Sequence, residues 1–160
     1  MSIPFNSILV QCETHAHRML WAQNQFRDKL PLNADKLRSL DEAEIAALDQ
    51  FIGRFAKLQD GMGTKLLPIV LELTKEQGEL DAYLDKLNRL EKIGALPSVE
   101  EWLELRQMRN AFGLDNLESW DYPDNSELQA AVLNHAFSAA TRLIEILRHV
   151  KNYAKRFSNE

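Results

Sequence analysis

The stretch Glu104-Leu105-Arg106-Gln107-Met108-Arg109-Asn110 puts cations where a buried helix face is expected. On a helical wheel, at about 100° per residue, Trp102, Leu105, Met108 and Phe112 define one apolar face. Arg109 falls between Trp102 and Leu105, inside that face, while Arg106 and Asn110 lie on its border. Arginine is almost never fully buried unless paired. Arg109 must therefore reach out of the core edge, pair with a glutamate on a neighbouring helix, or present its guanidinium in a cleft or subunit interface. In the last case the chemistry is anion recognition, because the planar fork donates to two phosphate oxygens at once. Trp102 and Arg106 are then expected in the same cleft or interface. Trp120 and Tyr122 are two aromatics in one polar loop, and aromatic residues are enriched at interfaces.

Other chemistry-bearing residues carry weaker signals. His15 and His17 are two apart, so on a helix they point to different sides and cannot jointly grip a metal; they read as surface residues. His149 sits beside a basic helix end and suits the helix dipole. Glu72, Glu76 and Glu79 read as solvated charge, with no Glu-x-x-His pair to make a carboxylate metal site. There is no glycine-rich phosphate loop, nucleophile elbow or zinc motif. No metal or cofactor is expected. Cys12 is the only cysteine, which excludes an intrachain disulfide and fits a reducing, cytoplasmic setting.

The elements that must position these residues are helical throughout, with no strand alternation. A first helix is predicted from about Ser7 to Lys29, with Leu9, Cys12, Ala16, Met19, Leu20 and Phe26 recurring every three or four residues and Pro31 just beyond. A second begins near Asp41 on the stripe Ile45, Leu48, Phe51, Ile52, Phe55, Leu58 and Met62. It is expected to end or bend at Gly61, Gly63 and Pro68, with a continuation from Leu66 to Glu76. A third covers roughly Glu79 to Ile93 and stops at Gly94, with Pro97 following. A fourth opens on the capping box Ser98-Val99-Glu100-Glu101 and reaches about Phe112 or Gly113. After a loop from Leu114 to Asp124, a last helix runs from Asn125 or Ser126 to about Arg156. Its stripe is Leu128, Val132, Ala136, Ala140, Leu143, Leu147 and Val150. The expected fold is all-α: a single-domain, antiparallel up-and-down bundle of about five helices.

At 160 residues the chain fits one domain that buries roughly 70% of its unfolded surface, enough to fold without a metal or disulfide. A net charge of −5 and a pI near 5.4 argue against gripping nucleic acid by bulk charge. A local basic patch remains compatible with both. The longest uncharged apolar run, Leu66 to Leu71, is far short of the roughly 20 residues of a membrane span. No secretory signal is expected, since the N-terminus lacks a basic region followed by an apolar one.

Several stretches resemble the HEPN superfamily, and within it the HepT-like proteins encoded beside minimal nucleotidyltransferases. These are Phe55-Ala56-Lys57-Leu58-Gln59-Asp60, Leu87-Asn88-Arg89-Leu90-Glu91-Lys92, Glu101-Trp102-Leu103-Glu104-Leu105-Arg106 with Met108-Arg109-Asn110, and Asp121-Tyr122-Pro123-Asp124-Asn125. The resemblance runs from about residue 40 to 150. It implies a HEPN-like bundle that dimerises with Arg109 and Asn110 near the two-fold cleft. Many members are metal-independent ribonuclease toxins whose signature is Arg, a polar residue such as Asn, and His after four to six intervening residues.

Arg109-Asn110 matches the first half of that signature. Leu114, Asp115 and Asn116 stand where the histidine belongs, so Gly113 to Trp120 reads as an altered or lengthened loop. RNA cleavage through the ribose 2′-hydroxyl needs a positioned proton-transfer group, typically worth about 10²–10⁴ in rate. The expectation is therefore a HepT-like member of a toxin–antitoxin module with weak or absent ribonuclease activity, unless His135 approaches from the last helix or a second subunit. Tyr122 matches the tyrosine that a partner nucleotidyltransferase modifies with AMP in some members; otherwise it is a loop aromatic packed on the bundle end. One alternative is a non-catalytic subunit that binds a nucleotide or other substrate and docks a nucleotidyltransferase. Another is a generic helical interaction domain.

Overall fold

The structure is a computed structural model that describes residues 2–74, 82–111 and 126–157. Seven α-helices follow in chain order among the described residues: α1 (Ser2–Asn24), α2 (Ala34–Arg38), α3 (Glu42–Gly61), α4 (Leu67–Leu73), α5 (Tyr83–Lys92), α6 (Val99–Ala111) and α7 (Ser126–Ala154). There is no strand among them, and no helix is long and apolar enough to cross a membrane.

Residue pairings fix the helix directions. His15 of α1 meets Arg54 of α3, and Cys12 lies against Gly61, so α1 and α3 are antiparallel. Glu13 pairs with Lys151, and Gln23 donates to the Phe137 carbonyl, so α7 is antiparallel to α1. Asp60 meets Arg109 and Gly63 meets Trp102, so α6 is antiparallel to α3. α1 contributes Phe5, Leu9, Cys12, Ala16, Met19 and Ala22 to the core, spaced by threes and fours. One end of the core is aromatic, with Phe137 ring centroids 4.6 Å from Phe51 and 6.1 Å from Phe26.

The expected stripes hold with three corrections: Leu20, Ile45 and Leu128 are exposed. Leu128 is 67% exposed because the buried side of α7 there is carried by Gln129, Ala130 and Leu133. α1 also starts earlier than expected and ends at Asn24, a separate 3₁₀ turn covering Arg27–Lys29. The start of the third helix and the end of the fourth, as the sequence suggests them, lie outside the described residues.

Local chemistry explains most of the boundaries. Asp41 and Glu44 form a reciprocal capping box at the start of α3, at 2.8 and 3.0 Å. α5 ends as the Gly-then-Pro order suggests. Gly94 takes φ +89°, and the Ala95 N–H returns to the Leu90 carbonyl at 2.9 Å, a Schellman closure that favours glycine. The box expected at Ser98 is only half made. Ser98 Oγ accepts the Glu101 N–H at 3.1 Å, but the Glu101 carboxylate turns to Arg142 of α7 at 2.7 Å. The stronger partner wins, because an ion pair with hydrogen-bond geometry outcompetes a neutral cap.

Between α3 and α4 the chain stays helical through Gly61, Gly63 and Pro68. It widens into a π turn, Met62–Leu66, in which the Leu67 N–H bonds the Met62 carbonyl. Pro68 has no N–H to give and its ring would crowd the Thr64 carbonyl in a regular helix; the wider turn accommodates both.

Asn134 of α7 pins the loop ahead of α2. Its amide accepts the Leu32 N–H at 2.7 Å and donates to the Leu32 carbonyl at 2.8 Å. Asn134→Leu should cost about 2 kcal/mol in urea unfolding, since two part-buried backbone groups lose their partner.

Candidate functional site

The π turn sets the floor of a cleft between α3, α5 and α6. α5 and α6 pack so closely on it that a Cβ on Gly63 would stand 2.9 Å from Tyr83 Oη and 3.1 Å from Trp102 Cζ2. Glycine is thus required by close approach, and Gly63→Ala is expected to destabilise by about 1–3 kcal/mol, measured by thermal or urea unfolding. Beneath the floor, the fully buried Trp102 donates its Nε1–H to Tyr83 Oη at 3.0 Å. Tyr83 therefore keeps its own hydroxyl proton free to donate to another acceptor. Burial pushes that hydroxyl's pKa up, opposed by the Trp102 N–H and the nearby Arg106. The Arg106 guanidinium lies over the Tyr83 ring, 5.0 Å from its centroid.

Arg109 stands one turn further along α6. It leans out of the apolar face to the rim, where it is half-exposed and reaches Asp60 of α3 at 3.4 Å and the Asn110 side-chain oxygen at 3.0 Å. The partner is an aspartate rather than the expected glutamate, and the 3.4 Å separation makes it a loose one. Gln59, Asp60, Tyr83, Lys86, Arg106 and Arg109 all line one cleft of about 430 Å³. That volume falls within the roughly 300–1,000 Å³ of pockets that enclose small ligands.

Among the described residues, three cations from two helices thus face a cleft with one carboxylate, Asp60, already engaged by Arg109. Gln59 adds a second kind of signal. It is only 3% exposed and lines the cleft, a polar side chain on the buried side of α3. Chemically, the arrangement is a set of N–H and O–H donors suited to an oxyanion, with an amide able to read a polar group beside it.

Of the residues the sequence singles out, Arg106 and Arg109 come together in the cleft, and Asn110 supports Arg109. Trp102 does not reach the cleft; it is core, and acts on it only through Tyr83. Trp120 and Tyr122 lie outside the described residues, as does the loop that separates them from Arg109. His135 is exposed on α7 and does not line the cleft. Sequence reasoning missed Gln59, Tyr83 and Lys86. The motif stretch containing Gln59-Asp60 held the only local hint, since Gln59 falls on the buried side of α3 beside Phe55 and Leu58.

Two histidines also differ from expectation. His15 is half-buried rather than a surface residue, and its Nδ1 lies 2.9 Å from Arg54 Nη1. His149 is exposed but donates across to the Gly94 carbonyl at 2.8 Å, beyond its own helix end. Cys12 is buried, and burial pushes its thiol up to about 11. At about pH 8 it should stay protonated and resist a thiol-exchange reagent until the protein unfolds. Rapid labelling of the native protein would contradict that burial.

Among the described residues there is no group of three or more His, Cys, Asp or Glu side chains placed to hold a metal ion. No family model, curated protein or solved structure matches the chain.

Proposed function

We propose that this protein is a HepT-like member of the HEPN superfamily. It holds the phosphate of an RNA or nucleotide ligand in the α3–α5–α6 cleft and cleaves RNA weakly or not at all. One observation carries the reading: Lys86, Arg106 and Arg109 line the same cleft as the Gln59 side chain. The cations supply charge-assisted hydrogen bonds to phosphate oxygens. Gln59 and the Tyr83 hydroxyl supply neutral contacts to the rest of the ligand.

The non-catalytic side of the reading is supported by what the cleft offers for proton transfer. Among the described residues no histidine lines it, and the one carboxylate that does, Asp60, is held by a guanidinium. Phosphate binding without a matched acid and base supports recognition better than turnover. In this reading the protein acts as a homodimer in partnership with a minimal nucleotidyltransferase, to which it presents a bound nucleotide or other substrate.

Incubation of the purified protein with tRNA and total RNA, without metal and beside Arg109→Ala, tests the catalytic side. Both proteins should leave the RNA intact over times in which an active metal-independent ribonuclease degrades it. Rapid cleavage that disappears with Arg109→Ala would overturn the non-catalytic reading.

A further inference from the structure

We propose that a second cavity, between α1 and α3, is an oxyanion site that holds one phosphate group beside His15. Gln11, Cys12 and His15 of α1, Lys57 and Asp60 of α3, and Lys65 of the π turn line a space of about 180 Å³. That is below the roughly 300–1,000 Å³ of pockets for drug-sized ligands, so it suits an inorganic oxyanion or a single phosphate group rather than a nucleoside.

The donors are fixed by chemistry. Arg54 Nη1 lies 2.9 Å from His15 Nδ1, and a guanidinium can only donate. Nδ1 is therefore the acceptor, and the ring proton sits on Nε2, leaving that N–H to donate elsewhere. Burial, then Arg54, Lys57 and Lys65, hold His15 below its ordinary pKa, so the ring is a neutral donor near pH 7. Lys57, Lys65 and the Gln11 amide complete the donor set around the cavity.

The charges around His15 do not balance. Arg54, Lys57 and Lys65 bring three positive charges, and among the described residues none has a carboxylate within ion-pair distance. Among the described residues Asp60 is the one carboxylate lining the cavity, and it reaches across to Arg109. On α1, Glu13 pairs with Lys151 at 2.7 Å, and Cys12 is a protonated thiol. Lys57 and Lys65 line the cavity and Arg54 stands against His15 at its edge; these like charges repel one another, and an oxyanion in the cavity relieves that repulsion.

This site stands independently of the Arg109 cleft, though Asp60 lines both. The phosphate has two possible sources: free phosphate, or a strand of nucleic acid whose neighbouring phosphate occupies the cleft.

The test is an NMR titration of the full chain with inorganic phosphate near pH 7, read on the His15 ring, with sodium chloride at matched ionic strength as the control. The expected result is a saturable His15 shift and a phosphate-dependent rise in its pKa, both absent with chloride. Lys57→Gln/Lys65→Gln should weaken the response about tenfold at unchanged Tm, whereas Arg106→Ala, which leaves the Asp60–Arg109 pair in place, should leave it intact, which separates this site from the cleft. A labelled oligoribonucleotide assigns the source. Weaker binding to the lysine variant points to a strand, and equal binding points to free phosphate. A His15 response no larger than in chloride, or one untouched by the lysine substitutions, overturns the proposal.

Discussion

Trp102→Ala should destabilise the protein by about 3–5 kcal/mol, the range for removing a large buried aromatic. Trp102 is fully buried against the π turn, and no other side chain can fill its volume without moving Gly63 and Tyr83. The same substitution should weaken ligand binding, because Tyr83 loses the N–H that orients its hydroxyl and its ring backs the Arg106 guanidinium. Trp102→Phe separates the two effects. It keeps most of the volume but drops the 3.0 Å hydrogen bond to Tyr83, so it should cost about 1–2 kcal/mol. Urea unfolding of the three proteins measures this series. A Trp102→Ala protein with wild-type stability would mean that α6 does not seat on the π turn as described.

Arg106→Ala/Arg109→Ala should weaken binding of a short oligoribonucleotide by about 100-fold or more, at little cost in stability. Each hydrogen bond from a charged group to phosphate is worth about 1.5–3 kcal/mol, and both side chains are largely at the surface, so the fold does not depend on them. Removing two phosphate contacts should also flatten the salt dependence, lowering the slope of log affinity against log salt by about 1.4 for a single strand. Charge loss alone would change affinity without regard to position. Arg18→Ala, an exposed residue on α1 outside the cleft lining, is therefore the matched control and should bind normally.

How much of this was legible follows from distance along the chain. Periodicity alone gives the helices and most core residues, because burial of one face forces a repeat near 3.6. Gly94 and Ser98 mark the turn between α5 and α6 through local backbone chemistry, and Arg109 is conspicuous as a charge inside an apolar face. The π turn was not legible. Two glycines and a proline read as an end or bend before a continuation from Leu66, whereas the connection is a helical turn widened by a single residue. The cleft was half legible. Arg106 and Arg109 share a helix, but Gln59, Tyr83 and Lys86 join them only through packing of α3 and α5 against α6. The His15–Arg54 contact is likewise tertiary, joining residues 39 apart in sequence. At Ser98 the local signal was right about the serine and wrong about Glu101, because Arg142 lies far along the chain.

The most direct measurement is a titration of a labelled oligoribonucleotide at low salt with wild-type protein and with Arg106→Ala/Arg109→Ala, the same samples then being run on a denaturing gel. Saturable binding by the wild type, weakened about 100-fold in the variant, with the RNA intact in both, is the predicted result. Equal binding by the two proteins, or no binding by either, would contradict a phosphate-binding role for the cleft.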